Sequence, residues 1–314
     1  MKLPFEENSK KIISRVEMEE KPFPPRSVEQ LLQKGMIIVD KPPGPTSHQA
    51  VDYLKRILEL KKAGHSGTLD PGVTGVLPVA LSNATRITNA LLGAGKEYVC
   101  LIHLHDDVSD EKLEEVLQKF RGKIKQLPPK KSAVKRRLRE RTIYYLQLLD
   151  RIEKEVLVLV GCEAGTYIRK LAHDIGLELG CGAHMAELRR TKAGPFIEEK
   201  SYTLQDITDA YHYYKQGDES QLKKMLLPIE FGVRHLKKIW VQDGALKSLT
   251  HGAYLKVPGV IKFNSDINVG DTVAVMSTSN ELVLIGKAHM NSQDLEVANK
   301  GVAVNTSQVF MDPQ

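Results

Sequence analysis

The sequence has little cysteine and no long apolar run, and both shortages exclude classes of protein. Its 314 residues include three cysteines, Cys100, Cys162 and Cys181, none of them in a C-x-x-C motif. This excludes a disulfide framework and indicates a reducing compartment. The longest purely apolar stretch, residues 156–160, is far shorter than the roughly 20 residues that cross a bilayer. Because the N-terminus also lacks the apolar core of a signal peptide, we expect a cytoplasmic protein without a membrane partner.

The composition is that of an ordinary folded protein. Hydrophobic residues make up 41% and charged residues 27% of the sequence, which excludes a disordered or collagen-like chain. The length predicts about two domains. Lysine and arginine exceed the acidic residues by 45 − 39 = 6. A polyanionic partner is therefore compatible with the charge but is not required by it.

The order of strand-like and helix-like segments predicts the fold class. Over residues 36–235 they mix without strict βαβ alternation, which predicts an α+β fold with a mixed, largely antiparallel sheet. From Trp240 onward, short strands are separated by turns, with one short helix near residues 243–250. That pattern is typical of a small β-barrel. The predicted parts are an arm (1–35), a main domain (36–235) and a barrel domain (236–314).

Local signals predict individual elements within the main domain. Residues 36–39 predict a strand, and the capping-box spacing of Thr46 and Gln49 predicts a helix over 47–60. The apolar spacing after Ile168 predicts a second helix, which Gly180 ends.

A glycine-rich segment over residues 64–75, GHSGTLDPGVTG, requires an explanation. A phosphate-binding loop is excluded because Val73 stands where its lysine would follow the second glycine. A serine-hydrolase elbow is excluded because its G-x-S-x-G spacing is absent. Asp70 precedes a proline, which holds its backbone extended and displays the carboxylate. On these residues alone, a tight surface turn and a loop that presents a nucleophile or base both stay open.

Five segments in order give a specific resemblance. Residues 40–47 (DKPPGPTS), 64–75, 95–98 (GKEY), 165–169 (GTYIR) and 182–190 (GAHMAELRR) resemble the motifs of TruB-type pseudouridine synthases. His48 and residues 94–108 and 132–139 are similar to the dyskerin-like branch, the catalytic subunits of archaeal box H/ACA guide-RNA particles. Residues 257–259 and 286–288 resemble a PUA domain. The sequence ends at Gln314 without the lysine-rich tail of eukaryotic members, which favours the archaeal form.

The resemblance implies a role for seven residues of the main domain. It implies that Asp70 is the essential carboxylate, that Arg169 pairs with it and that Tyr98 stacks on the target base. It implies a substrate-binding set: Lys41, His65, Tyr167 and Leu188. Within this set, Lys41 is expected to orient the motif loop and His65 to contact the RNA backbone. Without the resemblance, Arg169 would be read as a solvated helix residue and Tyr98 as a core tyrosine.

A cluster of basic residues occupies the predicted loop at about residues 128–141. Its members are Lys130, Lys131, Lys135, Arg136, Arg137, Arg139 and Arg141. The charge alone is compatible with a solvated basic loop. The resemblance instead implies a thumb that grips substrate RNA through its phosphates.

Neither a metal nor a cofactor is expected. His103 and His105 share one face of a predicted strand, a spacing that suits a metal ion. The resemblance, however, is to a metal-free family. No cofactor motif is present, and an isomerisation needs no electron or group carrier.

The resemblance implies RNA-guided isomerisation of uridine to pseudouridine in rRNA, and in tRNA as a further substrate. The alternative is a stand-alone synthase for the T-loop of tRNA; a non-catalytic RNA scaffold is disfavoured by the intact motifs. The implied partners are guide RNA, substrate RNA, a small zinc-ribbon-like protein, a glycine/arginine-associated β-barrel protein and, through RNA, a kink-turn-binding subunit. The PUA domain is expected to hold the ACA end of the guide, with the arm packed on that domain.

Overall fold

The computed structural model describes residues 2–6, 11–17, 21–128 and 135–313. The chain divides into two compact units. The first unit comprises Met1–Pro4, Ile37–Val79 and Leu91–Met225, and the second comprises Phe5–Met36, Ala80–Ala90 and Leu226–Gln314. Each unit gathers separate stretches of chain, and the division predicted at residues 35/36 and 235/236 stays a prediction.

The α-helices are α1 (Val28–Lys34), α2 (Ser47–Ile57), α3 (Thr88–Leu92), α4 (Asp110–Lys119), α5 (Ile168–Leu179), α6 (Leu204–Lys215), α7 (Ser220–Met225), α8 (Asp243–Thr250) and α9 (Ser292–Val297). Short 3₁₀ helices span Pro4–Glu6, Ser82–Ile87, Glu198–Lys200, Ile229–Val233 and Val257–Gly259. The strands are β1 (Ile12–Ser14), β2 (Gly35–Lys41), β3 (Ala63–His65), β4 (Thr74–Leu81), β5 (Lys96–Leu104), β6 (Gly122–Gln126), β7 (Arg139–Ile152), β8 (Glu155–Cys162), β9 (Ala183–Ala193), β10 (Phe196–Ile197), β11 (Leu227–Pro228), β12 (Lys237–Val241), β13 (Leu255–Lys256), β14 (Val260–Asn264), β15 (Thr272–Met276), β16 (Leu282–Ala288) and β17 (Val302–Val309).

The sheet of the first unit has the strand order β2-β4-β9-β5-β8-β7-β6, with β3 beside β4 and β10 beside β9. β4 and β9 run parallel, whereas the pairs from β9 through β5, β8 and β7 to β6 are antiparallel. This confirms the predicted α+β class with a mixed, largely antiparallel sheet. The parallel pair places the loop before β4 beside the end of β9.

Helices α4 and α5 cover the central strands of this sheet. Leu113 of α4, and Leu171 and Ile175 of α5, join the buried cluster formed by the apolar residues of β5 and β8. Helix α5 ends at Gly180, whose φ of +78° is the left-handed conformation that glycine adopts without strain. Thr46 caps α2 with the predicted capping box, and its side chain accepts a hydrogen bond from the Gln49 amide at 3.1 Å.

The second unit contains a seven-stranded sheet in the order β1-β14-β12-β15-β16-β17-β13. β12 and β15 run parallel and the other pairs are antiparallel. Strand β1 comes from the N-terminal stretch, where Ile13 pairs with Phe263 of β14. The same stretch is held by Arg26, whose guanidinium donates to both carboxylate oxygens of Glu230 at 2.7 and 2.8 Å.

One sequence expectation was wrong in this unit. The C-terminal region holds α9 in addition to α8, because the Asn291 side chain accepts a hydrogen bond from the Asp294 amide at 2.8 Å and caps α9. The N-terminal stretch also forms α1, which begins with a complete capping box between Ser27 and Gln30. Within the described ranges, no helix is both long and apolar enough to cross a bilayer.

Candidate active site

Asp70 lies in the loop between β3 and β4 and faces Arg169, the second residue of α5. The guanidinium Nη2 donates to the Asp70 Oδ2 at 2.8 Å, and both side chains are more than half exposed. The pair joins positions 99 residues apart in sequence. A guanidinium held this way can orient the carboxylate while leaving an oxygen accessible to a ligand.

Lys41, at the end of β2, lies beneath the loop and has no exposed surface. Its Nζ donates to three backbone carbonyls, of Pro42 at 2.9 Å, Pro71 at 3.0 Å and Val73 at 2.9 Å. Burial lowers the pKa of Lys41, and the nearby charge of Asp70 opposes that effect. All three protons of the ammonium are used by backbone, so Lys41 orients the loop here and has no donor to spare for RNA.

Ser47 holds the loop on the other side of Asp70. The Leu69 amide donates to the Ser47 Oγ at 2.8 Å, and the Oγ donates to the Leu69 carbonyl at 3.1 Å. Ser47 is fully buried at the first turn of α2. The residues flanking Asp70 are therefore both fixed by buried side chains. Ser47 lies within the first sequence motif, but nothing in that motif specifies this contact.

Tyr98 and Leu188 lie on one face of the central sheet. Tyr98 of β5 pairs with Arg190 of β9, and Cys100 pairs with Leu188, so Tyr98 and Leu188 are diagonal neighbours. Both are partly buried against the core cluster. Burial raises the pKa of Tyr98, so the phenol is protonated at neutral pH.

Arg190 is a buried residue that the sequence motifs did not single out for function. It is 1% exposed and lies beneath the glycine-rich loop. Its Nε donates to the Val76 carbonyl at 2.7 Å and its Nη2 to the Gly67 carbonyl at 3.2 Å. Tyr98 of β5 lies directly opposite Arg190 in the register of β5 and β9, and the two side chains interact electrostatically.

His65 stands at the start of the loop, partly buried at the end of β3. Its Nε2 lies 3.1 Å from the Nδ1 of His48, and its Nδ1 is buried without a hydrogen-bond partner among the described residues. Burial, together with the charges of His48 and Arg190, lowers the pKa of His65 to about 4. The imidazole is therefore neutral at physiological pH.

Tyr167 immediately precedes α5, two residues before Arg169. Gln126, at the end of β6, holds its backbone: the Tyr167 amide donates to the Gln126 Oε1 at 2.9 Å, and the Gln126 Nε2 donates to the Tyr167 carbonyl at 3.1 Å. Gln126 is 2% exposed. This contact fixes the start of the helix that presents Arg169, and no sequence motif indicated it.

The predicted thumb is described only in part. Lys130 and Lys131 lie outside the described residues, whereas Lys135, Arg136 and Arg137 are exposed. The expectation that the loop extends to residue 141 was wrong, because β7 begins at Arg139. Arg139 pairs with Gln126 of β6, and Arg141 pairs with Ile124. Lys123 and Glu140 also form an ion pair between these two strands, at 2.9 Å.

His103 of β5, His105 just after that strand, and His184 of β9 form a cluster of imidazoles whose ring centroids lie between 5.1 and 6.3 Å apart. His103 Nδ1 lies 2.6 Å from Glu155 Oε1, and His105 Nε2 lies 2.9 Å from His184 Nδ1. Among the described residues, no group of three or more His, Cys, Asp or Glu side chains is arranged to hold a metal ion.

Comparison with known protein families matches four successive segments, which together span most of the chain. The N-terminal domain of TruB family pseudouridylate synthases matches residues 55–168, and the C-terminal domain of tRNA pseudouridylate synthase B matches residues 169–234. A PUA domain matches residues 237–310 and a DKCLD domain matches residues 14–51.

Similar proteins and structures agree with these matches. The probable tRNA pseudouridine synthase B of Pyrococcus abyssi is 55% identical over 92% of this chain and 88% of that protein. A solved Cbf5-Nop10-Gar1 complex contains a chain 51% identical to this one, with a TM-score of 0.95 over 99% of this chain and 98% of that chain. An H/ACA RNP bound to a substrate RNA containing 2'-deoxyuridine contains a chain 48% identical, with a TM-score of 0.92 over 99% of this chain and 97% of that chain. The chain belongs to the TruB family of pseudouridylate synthases and carries a PUA domain, as its ordered motifs predicted.

Proposed function

We propose that this protein isomerises uridine to pseudouridine under the direction of a guide RNA, as the catalytic subunit of an H/ACA ribonucleoprotein. The observation that carries the proposal is the whole-chain likeness to the chain in the Cbf5-Nop10-Gar1 complex, at a TM-score of 0.95. Because that likeness includes the PUA region and the N-terminal stretch, it supports the particle as well as the reaction. The archaeal and cytoplasmic setting predicted from the sequence is part of this proposal.

The geometry around Asp70 suits the chemistry. The reaction breaks the glycosidic C–N bond, turns the uracil and forms a C–C bond, while a proton leaves the new bonding carbon and the freed nitrogen gains one. Asp70 supplies the essential carboxylate, which Arg169 holds at 2.8 Å. Tyr98 offers its ring to a flipped base, with Leu188 as a diagonal neighbour. Tyr167 and His65 flank this surface, in positions to contact the RNA.

The partners follow from the same likeness. We propose a Nop10-like zinc-ribbon protein and a Gar1-like β-barrel protein as protein partners, because the matched chain is solved with Nop10 and Gar1. A kink-turn-binding, ribosomal-protein-like subunit would join through the guide RNA. In this arrangement the PUA domain holds the ACA end of the guide, and the exposed Lys135, Arg136 and Arg137 contact substrate phosphates.

A second candidate function is guide-independent modification of the tRNA T-loop. The observation that favours it is the naming of similar proteins as probable tRNA pseudouridine synthase B. The two functions use the same Asp70 site, so one protein can perform both.

A modification assay separates the two candidates. Full-length protein is incubated with an rRNA-type substrate and with tRNA, each with and without guide RNA and the two accessory proteins, and pseudouridine is quantified. We expect guide-dependent modification of the rRNA-type substrate and none from Asp70→Asn, whose RNA binding stays within a few-fold of wild type. Modification of tRNA alone, unaffected by any guide, would favour the stand-alone enzyme.

A further inference from the structure

Arg190 is a buried cation that forms no ion pair with a carboxylate within the part of the chain that the structure describes. Its guanidinium donates to two backbone carbonyls, and Tyr98 is its cross-strand neighbour. Burying a charge without an opposite charge is costly, commonly several kcal/mol. Burial accordingly lowers the pKa of Arg190, although Tyr98 opposes this. The place of Arg190 beneath the Asp70 loop points to a role in the site.

The three neighbours of Arg190 belong to three separate elements. Gly67 lies three residues before Asp70 in the glycine-rich loop, Val76 lies in β4 after that loop, and Tyr98 lies in β5. The carbonyls of Gly67 and Val76 therefore bracket the segment that carries Asp70. One rigid guanidinium thus holds both ends of that segment on the residue that lies opposite Tyr98 in the sheet.

The surrounding backbone leaves room for this guanidinium. Gly75, with φ of +100°, lies so close to the Arg190 backbone that a Cβ would meet its carbonyl oxygen at 2.2 Å. At Gly67, a Cβ would lie 3.4 Å from the Arg190 Nη1. Gly75 therefore lets β4 lie directly against the backbone of Arg190, while the guanidinium is in ordinary contact with the loop at Gly67.

A second buried cation stands beside it. The Lys96 Nζ donates to the carbonyls of Leu91, Leu92 and Ala94 at 3.3, 3.0 and 2.6 Å. Burial, and then the charge of Arg190, lowers the pKa of Lys96 to about 8. Lys96 hydrogen-bonds the turn before β5, and its side chain lies beside Gly67, where an added Cβ would be 3.8 Å from its Cε. Arg190, unlike Lys96, donates to carbonyls on both sides of Asp70.

We propose that Arg190 is a positioning residue that fixes the Asp70 carboxylate relative to the Tyr98 ring for the isomerisation. It acts through its hydrogen bonds to Gly67 and Val76 and through its cross-strand position beside Tyr98, and it does not touch the RNA. This inference rests on the proposed function of the Asp70 site. Because it concerns the geometry within the first unit, it applies equally to guided and unguided substrates.

The test uses Arg190→Lys, which keeps the charge but replaces the planar guanidinium, whose Nε and Nη2 bind separate carbonyls, with a single nitrogen. The full complex is assembled, and the single-turnover rate at saturating RNA is measured separately from RNA affinity. We expect a rate loss of about 10- to 100-fold, in line with the effect of ångström-scale misplacement, and an RNA Kd within about threefold of wild type.

Two controls separate positioning from general loss of stability. Arg121→Lys alters an arginine that also donates to a backbone carbonyl, that of Leu146 at 2.7 and 2.9 Å, but far from Asp70 in the fold. Leu117→Ala lowers stability from α4, which carries no site residue. Both should keep the single-turnover rate within about twofold at a temperature well below their unfolding midpoints. If Leu117→Ala slows the reaction as much as Arg190→Lys does, the positioning role is wrong.

Tyr98→Phe is an independent test, because it keeps the ring and removes the hydroxyl that interacts with Arg190. If the two residues act as a unit, the double variant should react no more slowly than Arg190→Lys alone. A wild-type rate for Arg190→Lys, or fully multiplicative losses in the double variant, would overturn the inference. Should Arg190→Lys fail to fold, a wild-type rate for Tyr98→Phe would overturn it alone.

The rates are measured on whichever RNA the wild-type protein modifies. Failure of the wild type on a guided substrate would count against the proposed guided function. If the wild type is active and Arg190→Lys reacts at the same rate, the inference about Arg190 is wrong.

Discussion

The ammonium of Lys41 lies 3.0 Å from the carbonyl oxygen of Pro71, the residue that follows Asp70. The acid at the centre of the site is thus exposed at its carboxylate but fixed at its backbone. Ser47 does the same for Leu69, the residue before Asp70. A carboxylate whose backbone is held on both sides loses little conformational freedom when RNA binds, which favours preorganised chemistry.

Replacing Lys41 by methionine should destabilise the first unit. The change leaves the carbonyls of Pro42, Pro71 and Val73 without their donor. Unsatisfied buried acceptors commonly cost about 1–3 kcal/mol each, partly offset here by removal of a buried charge. We therefore expect the free energy of unfolding to fall by about 2–4 kcal/mol in urea titrations. Lys112→Met, at an exposed position of α4, is the control and should change it by less than about 0.5 kcal/mol.

Replacing Arg169 by lysine should slow catalysis more than it weakens RNA binding. The exposed ion pair with Asp70 contributes little to stability, but its planar fork orients the carboxylate. We expect a rate loss of about 10- to 100-fold and a Kd within a few-fold. Lys170→Arg, a neighbouring charge-conserving change on α5, serves as the control. Unchanged modification by Arg169→Ala would contradict a role for the pair.

His65 predicts a pH dependence of stability with a defined sign. Its pKa is lowered from 6.5 to about 4 in the folded protein, so between these values the unfolded chain binds more protons. Stability should therefore be fully present above pH 6.5 and decline as the pH falls towards 4. Because the ring is partly exposed, we expect this effect of His65 to change the free energy of unfolding by about 1–2 kcal/mol.

The check is a urea titration at several pH values on wild type and His65→Gln. The difference between the two curves isolates His65 from the acidic residues that titrate in the same range. His289→Gln, at an exposed histidine of the second unit, controls for loss of any imidazole. If the free energy of unfolding of His65→Gln changes with pH as it does in the wild type, the prediction that His65 is held neutral by burial is wrong.

The exposed basic residues of the thumb should contribute more to RNA binding than the basic residues that lie in β7. Neutralising Lys135, Arg136 and Arg137 with glutamine should reduce the salt dependence of substrate-RNA binding. At about 0.7 in slope per phosphate contact on single-stranded RNA, the three changes should lower it by about 2. Arg139→Gln should have a smaller effect, since Arg139 is partly buried in β7. The double change Lys223→Gln and Lys224→Gln on α7 tests for a general effect of charge, and an equal fall in slope there would contradict a specific thumb.

The elements that the sequence predicts best are those with local signals. The capping box at Thr46 marks α2 correctly, and Gly180 marks the end of α5. The predicted helix over 47–60 nevertheless runs too far, because α2 ends at Ile57. Helix α6, which the sequence analysis did not predict, also begins with a capping box, between Thr203 and Asp206. Its start is therefore marked by the same kind of local pattern as that of α2.

The contacts that hold the site could not be predicted in the same way. Gln126 binds the backbone of Tyr167, and Arg190 binds the carbonyl of Gly67, across 41 and 123 positions. These bonds go to main-chain atoms, which every residue carries, so no pattern of side chains encodes them. Motifs locate the residues that face the substrate, whereas the residues that hold those motifs become visible once the sheet brings distant strands together.

The pairing of β1 with β14 has a consequence for the making of the protein. Phe263 follows its partner Ile13 by 250 positions. A ribosome that has produced the N-terminal strand must extend the chain through nearly the whole sequence before β14 exists to receive it. Until then Ile12–Ser14 offers an unpaired strand to any neighbouring edge. The second unit is therefore completed at the end of synthesis, and a nascent chain that stalls before residue 260 keeps this strand without its native partner.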